Sequence, residues 1–208
     1  EIMKRYGVTR VCVNPQTFSD KTLALIGRKH TAKEVVDKYH LVKSYGFLVN
    51  NDLIAGLPEE TFDDFKFSVD KTISLDPENV TVHTLALKSG SKLKEKTERL
   101  DGALVSQMVD YAQSALLKAG YEPYYLYRQK YMAGNLENVG FSKSGTECVY
   151  NIDIMEEYAS VIACGANAIS KRVKEGGKSI ERLGAPKNIP AYLLRVDELI
   201  EKKSELFK

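Results

Sequence analysis

Apolar and polar positions alternate in type along the first ninety residues, and the alternation predicts three strand–helix units. Val8 to Val13 (VTRVCV) is a short apolar run of strand type, closed by Asn14 and Pro15, where proline removes a ladder donor. Ser19 caps a short helix (DKTLALIG) that stops at Gly27. Thr31 opens a second helix, Ala32 to Tyr45, with Val35, Val36, Tyr39 and Val42 on one stripe. Leu48 to Pro58 (LVNNDLIAGLP) then reads as strand and turn. Thr61 with Asp64 forms an aspartate version of the capping box at the start of a helix over Phe62 to Leu75. Asn79 to Leu87 (NVTVHTLAL) is the third strand. Ahead of these, EIMKRYG has the character of the last turns of a helix ended by Gly7, so the chain is expected to continue a longer protein. Repeats of roughly 30–35 residues of this kind imply parallel strands joined by right-handed crossovers.

Beyond Lys88 the pattern changes. SGSKLKEKTERL is a charged connection. Ala103 to Ala119 is an amphipathic helix with Val105, Met108, Val109, Ala112, Ala115 and Leu116 inward, stopped by Gly120. Tyr121 to Arg128 (YEPYYLYR) is an aromatic strand with Tyr125 and Tyr127 on one face; such a row packs well on a pleated surface and can also stack on a planar ligand. Residues 129–151 show no period and read as a long loop. Val161 to Ser170 is an apolar segment in which Gly165 permits close backbone approach. Ile189-Pro190 opens a helix to about Leu206.

Composition narrows the function classes only slightly. With 43% apolar and 28% charged residues, the 208-residue chain is ordinary for a globular protein. A net charge of +2 gives no reason to invoke nucleic acid or acidic membranes, and no apolar run has transmembrane length. Three scattered cysteines, Cys12, Cys148 and Cys164, argue against a disulfide framework and for a reducing, cytoplasmic setting. They also argue against a metal centre built from this chain alone.

Candidate chemistry gathers at strand ends. Asp52 is a carboxylate inside an otherwise apolar run, costly unless something pairs with it. It is either a ligand contact or an acceptor for neighbouring backbone or a buried arginine. Gln16, Asp52 and His83 or Thr84 fall at or near the carboxyl ends of their strands, where parallel α/β sheets place ligand sites. Lys171, Arg172, Lys174 and Lys178 form a basic stretch that is either a solvated face or a partner for substrate carboxylates.

These stretches together resemble the radical SAM oxygen-independent coproporphyrinogen III dehydrogenases, and most closely their HemZ-type subgroup. The likeness rests on NPQTF with Arg28 twelve residues after Gln16, on NNDLIAGLPEET, and on HTLALKSGSKL. It continues through YYLYRQKYMAGNLENVGF, YNIDIMEE and AISKRV. The family's C-x3-C-x2-C cysteines, which hold a [4Fe–4S] cluster, do not occur here. The resemblance implies the C-terminal half of a partial (β/α)6 TIM-like barrel over residues 1–100, three β/α units with parallel strands. A smaller α+β region, with a substrate-side loop and a terminal helix, would then occupy 101–208. It implies an enzyme in which the cluster cleaves S-adenosylmethionine, and the resulting radical starts the decarboxylation of two propionates of coproporphyrinogen III to vinyl groups. On its own, this chain would be inactive. Gln16, Arg28, Asp52, Ala86 and Ile169 match positions that hold S-adenosylmethionine; Lys171 and Arg172 are candidates for substrate propionates. Haem chaperones of the same superfamily are an alternative. They usually carry H-N-x-x-Y-W where this chain has Tyr150 before Asn151. A non-catalytic binding domain is another. The first strand is expected at a sheet edge, covered by a loop or a second copy.

Overall fold

Side-chain caps fix the helix starts before any tertiary packing is considered. Ser19 Oγ accepts from Thr22 N at the head of α2 (Asp20–Leu25). Thr31 and Glu34 close a capping box on α3 (Ala32–Ser44). At α4 (Phe62–Leu75), Thr61 Oγ1 accepts from Asp64 N at 3.2 Å while Asp64 Oδ2 accepts from Thr61 N at 3.0 Å. Thr61→Ala is expected to cost about 1 kcal/mol of stability, checked by urea denaturation.

The computed structural model describes residues 1–86, 101–128 and 136–208. Contacts divide them into two units, Glu1–Glu147 and Cys148–Lys208. The boundary expected at residue 100 falls inside the first unit.

The first unit begins with a short helix, α1 (Ile2–Arg5), ended at Gly7 by a positive φ of 76°. Strands β1 (Arg10–Cys12), β2 (Leu48–Ala55) and β3 (Asn79–Thr84) are parallel, as the repeat requires. Helix α5 (Gly102–Lys118) and strands β4 (Glu122–Tyr127) and β5 (Asn138–Ser142) complete the unit. The sheet order is β1-β2-β3-β5-β4, with β5 antiparallel to both neighbours and β1 at an edge. The expectation of a loop across 129–151 is therefore corrected: residues 129–135 lie outside the described residues, but 138–142 form an internal strand. Every residue of β5 is buried. A strand covered on both faces need not alternate apolar and polar residues, so period alone does not reveal it.

One face of this sheet carries the core. Leu53, Ala55, Val80, Val82, Val139 and Phe141 pack against Phe65 and Val69 of α4 and Val105, Met108, Val109, Ala112 and Leu116 of α5. A second cluster joins Val49 to Val35 and Tyr39 of α3, with Phe18 and Leu75. Because β-strand side chains alternate, the residues between these point to the opposite face. There the sequence supplies Asn50, Asp52, Thr81, His83, Tyr125 and Tyr127. The sheet thus has helices on one side and polar residues on the other, and β1 and β4 at its two edges.

The second unit contains α6 (Val149–Met155), an antiparallel hairpin of β6 (Ile169–Lys174) and β7 (Ser179–Gly184), and helices α7 (Ile189–Leu193) and α8 (Val196–Leu206). The single helix expected from Ile189 to Leu206 is two. Arg195, at φ −118° and ψ 14°, interrupts the path, and its guanidinium clamps Glu198 at 2.7 and 2.8 Å in the first turn of α8. Among the described residues no helix is long and apolar enough to cross a membrane.

Candidate functional site

The polar face of the first unit's sheet holds Asp52 by its neighbours. Asn14 Nδ2 donates to Asp52 Oδ2 at 2.7 Å, and Asn50 Nδ2 donates to Oδ1 at 2.7 Å. His83 Nε2 lies 3.6 Å from Oδ2. The two asparagines are the hydrogen-bond partners that a carboxylate in a strand needs, with His83 nearby, and no arginine is among them. Asn50 and His83 come from adjacent parallel strands in a register that pairs Asp52 with Thr81 and Ile54 with His83.

From His83 the network crosses to β4. The Tyr127 hydroxyl lies 3.1 Å from His83 Nδ1, and the Tyr125 hydroxyl lies 3.2 Å from Thr81 Oγ1. The two tyrosine rings are parallel within 4°, with centroids 6.3 Å apart. The ring of Tyr125 fills the space above Gly140 of β5, where a Cβ would stand only 1.8 Å from Tyr125 Cε1. Burial pushes the Tyr125 hydroxyl well above its ordinary value, so it remains a neutral phenol at physiological pH. Of the two roles left open for the tyrosine row, packing against the sheet is what the first unit displays.

At the carboxyl ends of β2 and β3 this face opens into a cleft of about 250 Å³ lined by Gln16, Ile54, His83, Thr84, Leu85, Ala86 and Asn138. Gln16 is held there by its backbone. Its N–H donates to Asp52 O at 2.9 Å, and its carbonyl accepts from Ile54 N at 3.0 Å. It adopts a φ of 66°, a left-handed conformation that costs a non-glycine residue on the order of 1 kcal/mol and persists where the surroundings over-determine it. Asn138 Oδ1 accepts from Thr84 N at 2.8 Å and closes the opposite wall.

The loop carrying Gln16 is fastened from outside the cleft. Thr17 Oγ1 donates to Glu60 Oε1 at 2.5 Å and accepts from Ser19 N at 3.1 Å; Phe18 N donates to Ser68 Oγ at 2.9 Å. Glu60 is only 5% exposed and its Oε2 has no hydrogen-bond partner among the described residues. Burial pushes this carboxyl up to about 7; the Thr17 hydrogen bond opposes the shift and the nearby Asp64 adds to it.

The other residues singled out from the sequence are placed as follows. Gln16 and Ala86 share the cleft, and Asp52 sits below it on the same face. Arg28 is exposed and follows Gly27 at the end of α2; it does not line the cleft. Ile169, Lys171 and Arg172 belong to β6 of the second unit. Ile169 is 58% exposed. Lys171 is buried and lies 3.7 Å from Glu157, while Arg172 Nη1 donates to Leu206 O at 2.6 Å. Both cations already have partners, so a propionate would have to replace them. Asn14, Asn50 and Glu60 were not foreseen as parts of the site. Asn50 stands two residues before Asp52 in NNDL, and Asn14 and Glu60 fall within the NPQTF and NNDLIAGLPEET motifs; these were the sequence signals for them.

A [4Fe–4S] cluster does not fit the residues present. Cys12 is in the first unit, Cys148 and Cys164 in the second, and no group of three metal-ligating side chains occurs among the described residues. The chemistry present is compatible with a nucleoside: Asp52 offers an oriented carboxylate beneath a cleft whose walls mix Gln16, His83, Thr84 and Asn138 with Ile54, Leu85 and Ala86.

Comparison with known proteins agrees with this architecture. Residues 1–71 match the Radical SAM superfamily model. The chain is 41% identical, over 97% of its length, to the oxygen-independent coproporphyrinogen-III oxidase-like protein HemZ of Bacillus subtilis, covering 41% of that protein. It is 26% identical, over 95% of its length, to the heme chaperone HemW of Haemophilus influenzae, covering 48% of it. The solved coproporphyrinogen III oxidase HemN from Escherichia coli, a radical SAM enzyme, superposes with a TM-score of 0.70 at 18% identity, over 94% of this chain and 45% of that one. The chain thus spans less than half the length of each. The resemblance to this radical SAM family, drawn from the motifs, stands, and so does the α/β barrel-type fold.

Proposed function

We propose that this chain supplies the S-adenosylmethionine-facing flank of a radical SAM oxidoreductase that converts two propionates of coproporphyrinogen III to vinyl groups. The observation that carries this reading is the Asp52 carboxylate, anchored by Asn14 and Asn50 on the polar sheet face that opens at Gln16 and Ala86. Asp52 accepts from the ribose hydroxyls, and Gln16 hydrogen-bonds the ribose or the amino group. Arg28 lies outside this cleft, and its match to the methionine-carboxylate position rests on the motif spacing; a pairing there would have the bidentate geometry that guanidinium favours. Ala86 supplies backbone or apolar contact. When bound, S-adenosylmethionine supplies the radical that removes hydrogen from the substrate; the protein's share is binding and orientation. The cluster that reduces it is held by residues other than these. Lys171 and Arg172 meet substrate propionates only by exchanging their present partners.

Asp52→Ala in the intact protein is expected to weaken S-adenosylmethionine binding by about 1.5–3 kcal/mol, with Arg28→Ala in the same range. Isothermal titration calorimetry measures both, and unchanged affinity in the two variants rejects the assignment.

A second reading is favoured by the likeness to HemW: a haem chaperone that binds haem without converting coproporphyrinogen. Haem titration of the intact protein, followed in the Soret band, separates the two. Stoichiometric binding with no turnover of coproporphyrinogen selects the chaperone.

A further inference from the structure

We propose that Glu60 is a positioning residue for the cleft: through Thr17 it latches the Gln16 turn, and its protonation state sets how firmly that turn is held. The inference rests on the reading of the cleft as a cofactor site.

The geometry supports it in three ways. Gln16 is held in a left-handed conformation, and its side of the cleft is formed by a loop rather than by a continuous strand. The next residue, Thr17, is fully buried and joins that loop to Glu60 at 2.5 Å, while Phe18 N and Ser19 N are satisfied by Ser68 Oγ and Thr17 Oγ1. Glu60 follows the turn that ends β2, so one side chain ties the β1 loop to the β2 loop on the rim of the cleft. Its second oxygen, Oε2, is buried without a hydrogen-bond partner among the described residues.

A neutral carboxyl tolerates that environment; an ionised one has a desolvated oxygen that no donor compensates. The groups that bear on it are few. Asp64, on α4, is held well below the usual carboxylate range by the Thr61 cap and stays ionised, which opposes a second charge at Glu60. Lys21 is paired with Glu59 at 2.8 Å on the exposed side. Thr17 and Ser68 contribute hydroxyls. Burial holds the Glu60 proton up to about 7, so the latch changes state near neutral pH. Ionisation makes Oε1 a stronger acceptor for the Thr17 hydroxyl, but the larger cost of a buried charge favours openings that bring the carboxylate to water, and the turn is then held less firmly.

The test is amide hydrogen exchange at Phe18 and Ser19 in the intact protein, expressed as protection factors so that intrinsic pH effects cancel. Protection is expected to fall about fivefold between pH 6 and pH 8, the lower end of ordinary coupling between sites. Glu60→Gln keeps the Thr17 hydrogen bond without a titrating proton and holds protection high at both pH values. Glu60→Ala lowers it at both. Equal protection at pH 6 and pH 8 in the native protein overturns the proposal, as does a Gln variant no better than Ala. S-adenosylmethionine affinity, titrated in parallel, is expected to follow the same profile. Affinity that is independent of pH while exchange responds overturns the link to the cofactor. Absence of S-adenosylmethionine binding at every pH, with exchange responding, instead rejects the reading of the cleft and leaves the latch standing.

Discussion

Replacing Gly140 with alanine is expected to lower stability by about 3 kcal/mol, among the larger effects of a single methyl group. Gly140 lies in the middle of β5, paired with Thr81 on one side and Tyr125 on the other. A Cβ there would stand 1.8 Å from Tyr125 Cε1 and 2.3 Å from Cδ1, distances no side chain occupies. Relief requires the ring to swing, but its hydroxyl is tied near Thr81 and the neighbouring Tyr127 ring lies parallel to it. The alternative, a shift of β5, would disturb pairing with both neighbours. Urea denaturation measures the loss. Combined with Tyr125→Ser, which empties the space, the same alanine should cost less than about 1 kcal/mol, a non-additivity expected of side chains in contact. A cost that is equal in both backgrounds would show that the ring is not what the glycine makes room for.

The second large effect is a pH slope centred on Glu60. Its folded-state carboxyl is raised from the ordinary 4.5 to about 7. The folded protein therefore binds this proton more tightly than the unfolded chain does. The contribution is favourable and complete below about pH 4.5, is lost as pH rises, and levels off above about pH 7. Over that window it amounts to about 3 kcal/mol. Glu60→Gln is expected to remove the slope and to be more stable than the native protein at pH 8. Chemical denaturation at pH 5, 6, 7 and 8 measures this, and parallel pH profiles for native protein and variant would contradict it. Carboxylates whose values are lowered, Asp64 and Glu78 among them, act with the opposite sign at lower pH, and the comparison with the Gln variant isolates Glu60 from them.

These two residues also mark where the sequence was legible and where it was not. Helix α4 was readable to its end residues, because Thr61, Asp64 and a one-sided apolar stripe act within a few positions of each other. The parallel order of β1, β2 and β3 followed from the spacing of strands and helices, since short crossovers leave few topologies. Asp52 stood out as a carboxylate in an apolar strand, and the demand for partners that this implied is met by Asn14 and Asn50. Gly140 and Glu60 were invisible by comparison. A glycine in a stretch without period gives no hint that an aromatic ring from another strand will cover it. The burial of Glu60 depends on Thr17, 43 residues away along the chain.

What the chain determined by itself was local: helix starts and stops, strand alternation, and the family motifs around NPQTF and DLIAGLP. Tertiary structure alone decided that NVGFS runs as an internal antiparallel strand between β3 and β4, which polar residues share the open face of the sheet, and which carboxyl loses its water. The physical reason is range. Caps and periods act between residues at most a turn or two apart, whereas burial and strand register are set by partners that only folding brings near.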